Sequence, residues 1–210
     1  TFTANRKRTM DFCKEIQNKN IKLEFQILTR IDLIDAELME LMASAGINEI
    51  IFGVEQIDQN NLSSMNKTRK ASSWADITQT NIEMTTSFGV IAHPVFMLGW
   101  PGDKVDSLKR LTEFAINLGS SSLVEPYVAF TTPHPGSEFW RRRSELGMQM
   151  ITSDLSKFLH LYPVAVPESY GPKGLEEMVS AHNSIRVTTG MSTSYPCLSM
   201  DFVLSYADLL

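Results

Sequence analysis

Short apolar segments alternate with amphipathic segments over residues 23–130 of this sequence. Each apolar segment has the length of a strand, and Glu49–Val54 is typical of a strand that is buried on both faces. The four strands that the pattern predicts are Leu23–Leu28, Glu49–Val54, Ile91–Leu98 and Leu123–Phe130. Because parallel strands are joined by right-handed crossovers that contain helices, the alternation predicts an α/β fold with a parallel sheet.

Apolar residues at helical spacing predict helices before, between and after these strands. Asp35 is a suitable N-cap for one of them, and Gly46 is a suitable stop. The predicted helices are Asn5–Lys19, Asp35–Ala43, Ser73–Ser87, Asp103–Asn117 and Leu175–Ile185. The alternation weakens after Gly147, which indicates a mostly helical C-terminal extension.

Charged or turn-forming residues follow each predicted strand. Arg30 follows the first strand, Glu55 the second, Gly99–Pro101 the third and Thr131–Pro133 the fourth. In parallel α/β proteins the carboxyl ends of the strands meet at one edge, and ligands bind there. We therefore expect the functional site at these four strand ends.

Composition excludes several other classes of protein. The net charge of −5 disfavours a nucleic-acid binder, and no segment is apolar and long enough to cross a membrane. The two cysteines are too few for a disulfide scaffold or a four-cysteine metal site, so a reduced, cytoplasmic location is expected. The four histidines lack metal-ligand spacing, and no metal site is predicted within this chain.

Six short motifs follow one another along the first two thirds of the chain. They are Phe2–Asn5, Arg30–Asp32, Gly53–Glu55, Met65–Lys67, Phe96–Gly102 and Thr132–Ser137. In this order and at these spacings, the motifs resemble those of the radical S-adenosylmethionine enzymes. The resemblance is to the group that often carries a cobalamin-binding domain.

The resemblance implies strands three to six of a six-stranded partial (β/α) barrel of TIM-like type. Residues 1–147 would form this partial barrel, and residues 148–210 would form an extension that covers the substrate. The family's Cys-x-x-x-Cys-x-x-Cys loop, which holds its [4Fe-4S] cluster, has no counterpart in this sequence. The chain is therefore expected to be a fragment that is inactive alone and whose partner is the N-terminal half of the same protein.

By resemblance, three strand-end residues contact S-adenosylmethionine. Arg30 would bind the methionine carboxylate; the alternative is an ion pair with Asp32 or Asp35. Glu55 would contact the ribose hydroxyls or the amino group of the cofactor; the alternative is a salt bridge to Arg30 or Lys67. Gln56 stands where the family usually has Ser and would replace it as a hydroxyl partner.

The other site residues implied by the resemblance lie near the remaining strand ends. Gly99 and Pro101 would contact the adenine or would form only a turn, and Thr132 and Pro133 would offer backbone groups to the adenine edge. Thr3 belongs to the first motif and is also expected at the cofactor. His134 is expected to contact the substrate, and the catalytic residues remain unassigned.

The intact protein would thus be a radical S-adenosylmethionine enzyme that generates a 5′-deoxyadenosyl radical at its [4Fe-4S] cluster. With cobalamin, methyl transfer to a small-molecule or peptide substrate would follow. The alternative is a non-catalytic half-barrel protein that binds a small ligand or a protein partner.

Overall fold

Four parallel strands form the centre of the computed structural model, which describes residues 1–189 and 197–208. The strands pair in sequence order, β1-β2-β3-β4. They are β1 Phe25–Arg30, β2 Ile47–Glu55, β3 Ile91–Leu98 and β4 Tyr127–Phe130. The predicted α/β fold with a parallel sheet is confirmed.

Eight α-helices are present in the described residues, and five were predicted. They are α1 Arg6–Asn18, α2 Ala36–Ser44, α3 Gln59–Ser64, α4 Trp74–Ser87, α5 Val105–Leu118, α6 Glu138–Arg142, α7 Gly174–Thr189 and α8 Met200–Tyr206. The short helices α3, α6 and α8 were missed because each has fewer than eight residues, too few to show a clear helical spacing of apolar side chains. No helix within the described ranges is long and apolar enough to cross a membrane.

Local sequence signals set the boundaries of α2. The Asp35 carboxylate accepts a hydrogen bond from the Leu38 N–H at 2.9 Å, as predicted for an N-cap. Gly46 follows the helix at a φ of +94°, where a Cβ would overlap the carbonyl oxygen of Leu23. The Gly46 carbonyl in turn accepts the Phe25 N–H at 2.9 Å, so the strand begins at Phe25 and not at Leu23.

Only one face of the sheet is fully covered within the described residues. Successive side chains along β3 alternate between buried and half-exposed, and β2 shows a similar alternation. The expectation that the second strand is buried on both faces is therefore wrong. The buried face carries Ile27, Ile50, Phe52, Val54, Ala92, Phe96, Leu98, Val128 and Phe130. Helices α2, α4 and α7 contact the strands, whereas Leu28 on the opposite face of β1 is 56% exposed.

The fourth strand is shorter than the sequence predicts. It begins at Tyr127, and only an isolated bridge between Ala92 and Val124 extends the pairing toward Leu123. Pro126 interrupts this segment, and proline has no N–H to donate to the ladder.

The region after Gly147 contains strands as well as helices. Two unpredicted strands, β5 Met148–Met150 and β6 Ala165–Pro167, pair antiparallel in a second sheet. Helix α7 packs on α5 and β4, so this region lies against the parallel sheet. The division into 1–147 and 148–210 stays a prediction, and part of the second range lies outside the described residues.

Candidate functional site

The carboxyl ends of the four parallel strands lie along one edge of the sheet. Arg30 is the last residue of β1 and Glu55 is the last of β2. Gly99 follows β3 directly, and the Thr131 N–H after β4 donates to the Leu98 carbonyl at 2.9 Å. The four strand ends are therefore neighbours, although their side chains differ in accessibility.

A cleft of about 860 Å³ opens between the end of β1 and the segment that joins α3 to α4. Its lining contains four basic side chains and one acidic side chain. The lining residues are Arg30, Asp32, Ser63, Asn66, Lys67, Thr68, Arg69, Lys70 and Ala71. We call this space the basic cleft.

Arg30 lines the basic cleft and forms a two-point ion pair. Its Nε lies 2.9 Å from Asp32 Oδ1, and its Nη2 lies 3.0 Å from Asp32 Oδ2. Hydrogen bonding to Asp32 raises the pKa of Arg30 above its ordinary value, so the guanidinium stays charged. The predicted alternative, an ion pair with Asp32, is the arrangement in this structure.

Glu55 has an unusual backbone conformation for a residue with a side chain. Its φ is +69°, and the pairing register between β2 and β3 shifts beside it. Its Oε1 accepts a hydrogen bond from Lys67 Nζ at 2.9 Å, which is the predicted alternative salt bridge. A Cβ on Gly53 would lie 2.7 Å from the same Oε1, so a larger residue there would displace the Glu55 carboxylate. A positive φ at a residue other than glycine, as at Glu55, costs free energy and often occurs at ligand sites.

Gln56 is almost completely buried beneath this edge of the sheet. Its Nε2 donates to the Met97 carbonyl at 2.8 Å and so joins β2 to β3. Its Oε1 is buried and has no hydrogen-bond partner among the described residues. An unsatisfied buried acceptor is unfavourable, so this oxygen could accept a hydrogen bond from a ligand that reached it.

Gly99 is covered by the C-terminal region of the chain. Its φ is +78°, and a Cβ at this position would lie 2.5 Å from Met178 Sδ of α7 and 3.5 Å from Pro167. Pro101 is half-buried and lines a second cleft of about 360 Å³ beside Trp100 and Phe139. The adenine contacts expected of Gly99 and Pro101 stay predictions.

The remaining predicted residues lie outside the lining of the basic cleft. Thr3 is buried, and its hydroxyl is hydrogen-bonded to that of Thr29 on β1. The Thr132 hydroxyl donates to the Phe130 carbonyl at 3.2 Å, and Pro133 is buried beside it. His134 is exposed in the following turn. Their cofactor and substrate roles stay predictions.

A buried aspartate that the sequence analysis missed connects the loops around the site. The Asp103 carboxylate accepts hydrogen bonds from Asn61 Nδ2 at 2.7 Å, the Tyr170 hydroxyl at 2.7 Å and the Lys104 N–H at 2.9 Å. Burial raises the pKa of Asp103 above its ordinary value. An acidic residue directly after the Pro101–Gly102 turn was the available signal, but its side-chain partners Asn61 and Tyr170 are distant in sequence.

The side chains of this chain do not fit an iron–sulfur cluster. Cys13 is a buried residue of α1, and Cys197 is exposed in the C-terminal region. Within the described ranges, no three His, Cys, Asp or Glu side chains are placed to hold a metal ion. A cluster of the expected type needs three or four thiolates, and the whole sequence contains two cysteines.

Two solved structures of one protein share this fold. Both are of the radical S-adenosylmethionine methyltransferase TsrM from Kitasatospora setae, at a TM-score of 0.58 and 16% identity. The form with cobalamin and a [4Fe-4S] cluster aligns with 85% of this chain and 36% of its own. The form with tryptophan and a cofactor analogue aligns with 73% and 31%. These likenesses show that the chain shares the fold, as the resemblance in its sequence motifs implies.

Two curated proteins are similar to this chain in sequence, and no family model matches the chain. An uncharacterized methyltransferase of Pyrococcus horikoshii is 24% identical over 166 residues, which are 78% of this chain and 34% of the relative. The anaerobic magnesium-protoporphyrin IX monomethyl ester cyclase of Rubrivivax gelatinosus is 23% identical over 169 residues, 80% of this chain and 29% of the relative. The chain thus spans about a third of the length of the curated relatives it matches.

Proposed function

We propose that this chain contributes the S-adenosylmethionine-binding edge of a radical S-adenosylmethionine enzyme. In this proposal, β1–β4 are strands three to six of a six-stranded partial barrel. The observation that supports the proposal is the basic cleft, in which Lys67 of the segment after α3 lines the same space as Arg30 at the carboxyl end of β1. Such edges are the usual ligand sites of parallel α/β folds.

The residues at this edge are chemically suited to the cofactor. The Arg30 guanidinium can donate paired hydrogen bonds to the methionine carboxylate if it exchanges part of its pairing with Asp32. The Glu55 carboxylate can accept hydrogen bonds from the cofactor's ammonium or ribose hydroxyl groups. The unpartnered Gln56 Oε1 is a further acceptor. When bound, the cofactor supplies a sulfonium group that can be cleaved by one-electron reduction.

These 210 residues do not supply the ligands of the [4Fe-4S] cluster. The cluster ligands would come from polypeptide outside this sequence, namely an N-terminal half that completes the barrel. Cobalamin-dependent methyl transfer is the reaction that we propose for the whole protein. The methyltransferase names of the Pyrococcus and Kitasatospora proteins support that choice. We also propose a small-molecule or peptide substrate, no nucleic-acid partner and a cytoplasmic location.

One observation favours the non-catalytic alternative. Two of the proposed cofactor side chains already have charged partners within the chain, Arg30 with Asp32 and Glu55 with Lys67. A half-barrel protein that binds no cofactor would keep these ion pairs closed. Binding measurements separate the two functions.

The first test is the binding of S-adenosylhomocysteine, a stable cofactor analogue, to the 210-residue chain by isothermal titration calorimetry. We expect Arg30→Gln to weaken binding by about tenfold or more, because it removes a charged hydrogen bond. Arg110→Gln is the matched control, since Arg110 is an exposed residue of α5 that likewise pairs with an aspartate, Asp58. If the wild-type chain does not bind the analogue, the non-catalytic alternative is favoured. If Arg30→Gln and Arg110→Gln bind equally well, Arg30 is misassigned.

A further inference from the structure

The basic cleft contains more positive charge than the proposed cofactor contacts use. We propose that Arg69 and Lys70 bind a carboxylate or phosphate group of a small-molecule substrate. The substrate of this site would therefore be an acid. This inference rests on the proposed function, because it assigns the Arg30 side of the cleft to the cofactor and the Arg69–Lys70 side to the substrate.

The charge balance of the cleft differs from that of the whole protein. The chain has a net charge of −5, yet four basic residues and one acidic residue line the cleft. Two of the basic residues are neutralised by acidic partners, Arg30 by Asp32 and Lys67 by Glu55. Arg69 and Lys70 are both exposed. Across residues 1–189 and 197–208, neither forms an ion pair with an acidic side chain.

The backbone around Arg69 and Lys70 is held in place by hydrogen bonds. Asn66 turns the chain with a φ of +50°, and the Lys67 N–H donates to the Leu62 carbonyl at 3.1 Å. The Lys70 N–H donates to the Thr68 hydroxyl at 3.0 Å. The 3₁₀ turn Ala71–Ser73 then leads into Trp74, which is completely buried. The two basic residues therefore extend from a well-anchored wall of the cleft.

The cleft has room for a substrate beside a cofactor. Its volume of about 860 Å³ is near the upper end of the range for small-molecule sites. A guanidinium presents two parallel N–H donors to a carboxylate or phosphate, and a neighbouring ammonium adds a second charge. Two adjacent cations without acidic partners thus favour an anionic ligand over a neutral one.

The test uses two probe anions, pyrophosphate for phosphate groups and citrate for carboxylates. Each is titrated calorimetrically into the full 210-residue chain at low ionic strength. The test variant is Arg69→Gln/Lys70→Gln, which removes both charges from the cleft wall. The matched control is Lys14→Gln/Lys22→Gln, which removes two exposed charges on and just after α1. Circular dichroism melts establish that each variant is folded.

We expect at least one probe to bind the wild-type chain, and Arg69→Gln/Lys70→Gln to bind it about tenfold or more weakly. The control variant should bind like the wild type. The probe that binds identifies phosphate or carboxylate as the preferred group, and binding of both indicates a shared site. The inference is wrong if neither anion binds, or if both double variants weaken binding equally.

A parallel titration with S-adenosylhomocysteine separates this inference from the proposed function. We expect Arg69→Gln/Lys70→Gln to bind the analogue within twofold of the wild type, and Arg30→Gln to bind it weakly. Binding of the analogue without anion binding would overturn the substrate inference alone. If the anions bind through Arg69 and Lys70 but the analogue does not bind, the proposed function is overturned. The cleft would then be an anion-binding site only.

Discussion

At the scale of single residues, the ion pair between Glu55 and Lys67 is the most tightly constrained feature of the candidate site. Their side chains are only 24% and 14% exposed. Gly53 lies against the Glu55 carboxylate, and Glu55 itself has a left-handed backbone with a φ of +69°. A buried pair of this kind gives little net stability, but breaking it leaves one charge without a partner.

Glu55→Gln should therefore destabilise the fold by about 1–3 kcal/mol, because Lys67 loses its charged partner in a half-buried position. Urea unfolding monitored by circular dichroism measures the change in the free energy of unfolding. Glu15→Gln is the matched control, because Glu15 pairs with Lys19 on the exposed face of α1. Its effect should stay below about 0.5 kcal/mol. Equal effects of the two variants would mean that the site pair is as weakly coupled as a surface pair.

A second residue-scale prediction concerns pH. His182 is buried against the ring of Phe130 at 4.8 Å between centroids, and burial lowers the pKa of His182 to about 4. The unfolded chain binds this proton near the ordinary histidine pKa of about 6.5, before the folded chain does. The protein should therefore lose about 3 kcal/mol of stability as the pH falls from about 6.5 to about 4.

The variant His182→Phe keeps an aromatic ring beside Phe130 and removes the titrating group. We expect its free energy of unfolding to change less than that of the wild type between pH 7 and pH 4.5. Exposed His134 supplies the control, because His134→Phe should leave the pH dependence unchanged. A wild-type slope that persists in His182→Phe would assign the acid sensitivity to other groups.

At the scale of elements, β1 is the exposed edge of the parallel sheet. It pairs with β2 on one side, and the described residues provide no strand on the other side. Exposed apolar side chains lie on or before this strand, including Leu28 at 56% exposure and Leu23 at 58%. An open strand edge with exposed apolar side chains is a template for pairing with another chain.

We therefore expect the isolated chain to associate through β1 as its concentration rises. Leu28→Lys places a charge on the exposed face of the strand and should shift the chain toward monomer, because charged edges oppose pairing. Sedimentation velocity over a range of concentrations measures the association. Leu155→Lys is the control, since Leu155 is 64% exposed on a distant 3₁₀ turn. A wild-type chain that stays monomeric would contradict this expectation.

At the scale of the whole molecule, the chain combines a proposed cofactor-binding edge with too few thiols for an iron–sulfur cluster. The fold is similar to part of the methyltransferase TsrM, over about a third of that enzyme's length. The cysteines of this sequence are a buried Cys13 and an exposed Cys197. The proposed cofactor site and the cluster therefore depend on different parts of the proposed whole protein.

Anaerobic reconstitution of the 210-residue chain with iron and sulfide should give no stoichiometric [4Fe-4S] cluster, because thiolates supply the ligands of such clusters. Visible absorbance and iron content per chain measure the outcome. Cys13→Ser/Cys197→Ser gives the background from adventitious iron. Cluster loading in the wild type well above this background would contradict the prediction.

Sequence reasoning located most of the fold from local patterns. The period of the apolar residues gave all four parallel strands and five of the eight described α-helices. It erred where a signal is short or depends on distant contacts. The pair β5–β6 has three residues in each strand, and β1 begins at Phe25 because that N–H reaches Gly46. Neither the short strand pair nor the start of β1 produces a regular spacing of apolar residues that sequence analysis could detect.

For the candidate site, the pattern of apolar segments correctly predicted that Arg30 and Glu55 stand at the ends of neighbouring parallel strands. Strand order and direction follow from local patterning and the handedness of crossovers. Tertiary contacts establish that Lys67 pairs with Glu55, that Arg69 and Lys70 line the basic cleft, and that the Tyr170 hydroxyl donates to Asp103 across the fold. Those contacts join residues brought together by loops and packing, and the patterns of local sequence do not specify such distances.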